Sequence, residues 1–121
     1  MATFQANQIR QGDIKVALTK DFKETVMARI QNEPIYAQAL LQEATTLLLQ
    51  GEPQTAKLLL RDLINATMGF EHLSLELQKP VKSLHRMLSV GGNPTMTHLS
   101  AILASVALFL NVQVETKVVH A

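Results

Sequence analysis

Phe22, Val26 and Ile30 recur every four residues and trace one apolar face of a short helix. Asp21 followed by Glu24 resembles a capping box at its start. Asn32-Glu33-Pro34 ends this helix and opens another, because proline suits a first helical position. Tyr36, Leu40, Ala44 and Leu47/Leu48 form the second stripe, with Gly51 as its C-cap. Pro53 opens a third helix whose buried face is Leu59/Leu60, Leu63 and Thr67, and Gly69 ends it. Two short helices follow at 70–77 and 81–88, separated by Gln78-Lys79-Pro80. Residues 89–94, with Gly91-Gly92 and Asn93-Pro94, carry every turn signal. Thr95 or Thr97 caps a last helix with Leu99, Ile102/Leu103, Val106 and Leu110 on its face.

The predicted fold is all-α, as one helical domain over 21–111, preceded by a flexible arm at 1–20. The tail at 112–121 departs from it. Val112, Val114, Thr116 and Val118 alternate with Gln113, Glu115 and Lys117, which is a strand period. A single strand is not stable alone, so this short β tail must pair with the arm, a second subunit or a partner protein.

Composition narrows the function classes. Hydrophobic residues make up 47% of the 121, enough to bury a core without disulfides. There is no cysteine, which removes disulfides, thiolate catalysis and cysteine zinc sites and suits a reducing cytoplasm. The first twenty residues carry Arg10, Asp13 and Lys15 and lack the apolar core of a signal peptide. The longest apolar run, 101–110, is broken by Ser105 and spans about half of the ~20 residues a bilayer requires. A cytoplasmic protein is expected.

Net charge is only +1, yet its distribution is uneven. Residues 1–76 hold nine acids against seven bases, whereas 77–114 hold no acid and three bases, Lys79, Lys82 and Arg86. An acid-free stretch of this length suits contact with phosphate. It coincides with helix-turn-helix spacing over about 70–88, where Leu73, Leu77, Leu84 and Leu88 face a core from two helices. Pro80 begins the second helix and leaves Lys79, Lys82, Ser83 and Arg86 toward its N-terminal and outward surface. A helix presented in this way enters the major groove with its first turns. Arginine pairs bidentately with guanine, a contact worth about 1–3 kcal/mol of discrimination. The candidate DNA-binding residues are Lys79, Lys82, Ser83, His85, Arg86 and Asn93, with the helix start near Gly69 and Phe70 as a further phosphate contact.

Several blocks stand out together: Phe22-Lys-Glu-Thr, Pro34, Ala39-Leu-Leu-Gln-Glu-Ala44, Leu59-Leu-Arg-Asp62, Ile64-Asn-Ala-Thr67 and Gly69-Phe-Glu71. Leu73, Lys79-Pro80, Lys82-Ser-Leu84, Arg86-Met-Leu88 and Gly92-Asn-Pro94 complete the set, which covers about 21–110. Together they resemble the addiction-module antidote (antitoxin) family of bacterial toxin–antitoxin pairs, relatives of the λ-repressor/Cro-type regulators. The resemblance implies a λ-repressor-like head that binds double-stranded operator DNA as a homodimer and represses its own operon. It also implies neutralisation of a cognate toxin, typically a RelE/HigB-like RNA-cleaving protein. Three features depart from the family pattern: Gln78 in place of a glycine, His85 in place of an apolar residue, and Ser89-Val90-Gly91 in the loop.

Other chemistry finds little support. His72, His85, His98 and His120 lack metal-ligand spacing, Glu71 and Glu76 read as surface carboxylates, and Gly91-Gly92 is too short for a phosphate loop. Neither an enzyme nor a cofactor is expected. Leu49 and Leu58 are the apolar residues expected at the surface, where they would mark an interface. Two alternatives stay open: a helix-turn-helix regulator without a toxin partner, and a protein-interaction module with an inactive DNA head.

Overall fold

The computed structural model describes residues 20–121, with side chains from Glu24 onward. The expected arm before Lys20 and the side chains of Asp21 and Phe22 lie outside these residues. Six helices are described: α1 (Lys20–Asn32), α2 (Pro34–Leu49), α3 (Pro53–Ala66), α4 (Phe70–Leu77), α5 (Val81–Met87) and α6 (Met96–Leu110). The fold is all-α, with no strand among the described residues. No described helix is long and apolar enough to cross a membrane.

The helix boundaries follow local chemistry. Proline occupies the first turn of α2 and of α3, where its missing N–H removes no intrahelical bond. Gly51 at φ 82° turns the chain out of α2, and the Glu52 N–H closes back on the Leu47 carbonyl at 2.8 Å. Thr95 caps α6, its hydroxyl accepting from the His98 N–H at 3.1 Å. Where α1 gives way to α2, the Arg29 guanidinium lies 4.0 Å over the Tyr36 ring and bonds Glu33 at 2.9 Å. This one side chain spans the proline break between the two helices.

α1, α2 and α3 pack on one another, α4 pairs with α5, and α6 packs against α2 and α4. One apolar cluster runs through all six helices, from Val26 and Ile30 through Leu41, Leu60 and Ile64 to Leu73, Leu84, Ile102 and Val106. The predicted stripes bury Val26, Ile30, Tyr36, Leu40, Ala44 and Leu47, then Leu59, Leu60 and Leu63, whereas Thr67 is only half-buried. Leu49 is 72% exposed, as expected, but Leu58 is half-buried.

The expected β tail is not formed. Asn111 adopts a left-handed conformation, the Val112 N–H returns to the Ala107 carbonyl at 3.0 Å, and the chain beyond carries no strand pairing. The alternation still has a physical consequence. Val112 and Val114 lie against the core while Gln113 and Glu115 face out, so the period orients the tail without supplying a ladder. A strand needs a neighbour for its backbone groups, and no described segment takes that place.

Candidate nucleic-acid interface

The site begins with the turn between α4 and α5. α4 stops at Leu77 because Gln78 takes φ 52° and ψ 47°, the left-handed conformation that glycine adopts most easily. The N–H groups of Gln78 and Lys79 both return to the Ser74 carbonyl, and the Ser74 hydroxyl donates to the Lys79 carbonyl. Ser74 therefore closes the turn from both its backbone and its side chain. Pro80, at φ −60°, then leads into α5. The turn has the shape that a glycine would give it, held with glutamine in place.

Leu84 of α5 and Leu88 just after it are fully buried and belong to the apolar cluster that also holds Leu73, Ile102 and Val106. That anchorage leaves the opposite face free. Lys82 and Arg86, four residues apart and hence on one face of α5, are both exposed and make no ion pair among the described residues. Ser83 is half-buried beside them. His85 is exposed at its edge, yet one face of its ring stacks on Phe70 at 3.9 Å between centroids and 24° between planes. The stack joins the last turn of α5 to the first residue of α4.

Lys79 sits differently from the outward placement expected of it. It is half-buried and lines a cavity of about 250 Å³ with Leu77, Leu84, Met87, His98 and Ala101. Lys79 therefore does not share the free face of Lys82 and Arg86.

The loop after α5 is held from beneath by a residue that the sequence reading did not single out. Lys57 of α3 is 4% exposed, and its ammonium donates to the Gly92 carbonyl at 2.5 Å and, at 3.5 Å, to that of Val90. From above, Gly92 lies so close to the Arg86 and Met87 carbonyls that a Cβ there would collide with backbone. The Ser89 hydroxyl and N–H both donate to the Arg86 carbonyl. Asn93 is consequently presented at the surface on a clamped loop. The signal for Lys57 was a lysine interrupting the apolar stripe of Ala56, Leu60, Leu63 and Ile64. Its acceptors lie 33 and 35 residues away, where no local pattern finds them.

The structure thus brings Lys82, Ser83 and Arg86 together on α5, sets Asn93 at the surface of the following loop, and assigns the ring face of His85 to Phe70. No group of three or more His, Asp or Glu residues able to hold a metal ion occurs among the described residues. No family model matches the sequence, and neither a curated protein nor a solved structure matches it.

Proposed function

We propose that the chain is a sequence-specific DNA-binding regulator of the antitoxin kind, with α4, the turn and α5 forming a λ-repressor-like helix-turn-helix head. The observation that carries this reading is the pair Lys82 and Arg86, exposed and without an ion pair among the described residues, on one face of a helix whose other face is locked into the core. Arg86 reads a base edge in the major groove, while Lys82, Ser83 and Asn93 hold the backbone. His85 sets the seat of α5 on α4 through Phe70. The left-handed turn at Gln78 supports the same reading, because it supplies the geometry for which the related regulators use glycine. Repression of its own operon as a homodimer and neutralisation of an RNA-cleaving toxin rest on the sequence blocks that resemble the antidote family. The acidic balance of residues 1–76 complements a basic partner of that type.

The test is a gel-shift titration against the chain's own promoter region across a salt series. Arg86→Ala weakens specific binding by about 5- to 150-fold, the equivalent of one bidentate base contact. Lys82→Ala flattens the salt dependence by about one unit of log–log slope. Promoter binding that is absent at low salt, or unchanged in both variants, refutes DNA reading. Co-expression with the neighbouring gene, read as growth rescue and co-purification, tests the toxin part separately.

A further inference from the structure

The cavity that Lys79 borders, about 250 Å³ in volume, lies between the α4–α5 turn, α5 and the first turns of α6. Leu77, Leu84, Met87 and Ala101 make most of its wall apolar. Three polar side chains complete the lining: Lys79, Thr97 and His98. Each of them can donate a hydrogen bond, and Lys79 carries a positive charge. No carboxylate lines the cavity, and the sequence holds none from 77 to 114. Glu76, the last acid before that stretch, is exposed and lies 3.6 Å from His72.

Size and chemistry together restrict the occupant. An apolar cavity of about 150 Å³ takes one benzene molecule, so this one has room for a single ring with a small substituent. It falls below the roughly 300–1,000 Å³ of sites for larger ligands. The apolar wall favours a flat hydrocarbon body, against which the Met87 thioether packs well. The donors and the one fixed cation in the lining favour a single negative charge at its end, with no lining acid to repel it. A phosphate dianion brings two charges to a wall of one cation and four apolar side chains, and is left poorly paired.

We propose that this cavity binds a monocyclic aromatic carboxylate. The ring sits among Leu77, Leu84, Met87 and Ala101, and the carboxylate meets Lys79, helped by Thr97 and His98. The ligand then touches the turn, α5 and α6 at once. It stabilises the folded chain by mass action, because the unfolded chain has no such cavity. The site lies apart from the face of Lys82 and Arg86, and its test uses no DNA. Failure here and failure of DNA reading are therefore separate results.

The experiment is a titration of the full chain with sodium benzoate, read by amide NMR signals, with circular dichroism melts to show that each variant is folded. Benzoate binds saturably with a Kd on the order of 1 mM, within reach of so small a ligand. The shifts centre on residues 77–79, 84–87 and 97–101. Benzamide keeps the ring and loses the charge, and acetate keeps the charge and loses the ring. Each binds about tenfold more weakly than benzoate, or worse. Lys79→Met weakens benzoate by about tenfold and leaves benzamide unchanged, whereas a merely structural role for Lys79 moves both. Ala101→Leu fills the cavity and abolishes binding, and Lys79→Met keeps the test decisive if that variant does not fold. Shifts that do not saturate, or that centre elsewhere, overturn the proposal. Benzamide or acetate binding as tightly as benzoate overturns it too, as does a folded Lys79→Met protein that binds benzoate as well as the wild type.

Discussion

Gln78→Gly should stabilise this protein, although it removes a side chain and adds freedom to the unfolded chain. Gln78 is exposed, and its side chain makes no hydrogen bond among the described residues, so truncation forfeits little contact energy. What changes is the backbone. At φ 52° and ψ 47° an L-residue is about 1–2 kcal/mol above the right-handed conformation, and glycine is free of that penalty. Against it stands the greater unfolded-state entropy of glycine, about 0.5–1 kcal/mol. The difference favours glycine by about 0.5–1 kcal/mol. For a domain of this size that is a rise in Tm of about 2–4 °C. Urea and thermal unfolding of the wild type, Gln78→Gly and Gln78→Ala make the comparison. Alanine removes the same side chain but keeps the Cβ, so it should show no gain. If alanine stabilises as much as glycine, or glycine destabilises, the backbone at this position is not under the strain described and the turn is held in some other way.

The loop after α5 supports three further expectations about stability. Lys57→Met keeps the apolar stem of the lysine but removes the donor to the Val90 and Gly92 carbonyls, and should cost about 1.5–3 kcal/mol in urea unfolding. Hydrogen exchange should show loss of protection in residues 89–92 before the rest of the chain responds. Gly92→Ala forces a Cβ onto the carbonyls of Arg86 and Met87 and should lower stability by about 1–3 kcal/mol, whereas Gly91→Ala, with open space around it, should be tolerated. Elsewhere, partial burial raises the pKa of Glu43 above its ordinary value, so its ionised form opposes folding. Glu43→Gln should therefore be the more stable protein at pH 7. That advantage should shrink as pH falls through the raised value and vanish below the ordinary carboxylate range, as melts at a series of pH values can show.

The helices of this chain are written locally. Proline at positions 34 and 53, glycine at 51 and 69, and apolar residues every three or four positions act within a turn or two of themselves, so their effect needs no knowledge of the rest of the molecule. The same is true of the exposed pair Lys82 and Arg86, since burying Leu84 and Leu88 on one face sends the other face to solvent. The turn at 78–80 was legible as a turn. That glutamine would take a left-handed backbone there was not, because the cost is met by contacts that Ser74 and the packed α4–α5 pair make only once assembled.

What tertiary structure alone decided involves groups far apart in the chain. Burial of Lys57 depends on carbonyls more than thirty residues away, and assignment of the His85 ring depends on where Phe70 comes to rest. The tail shows the division most plainly. Its alternation matches the inward placement of Val112 and Val114 and the outward placement of Gln113 and Glu115. Whether those residues become a strand depends on hydrogen-bonding partners that must come from another segment, and a period along one segment carries no information about whether they are there.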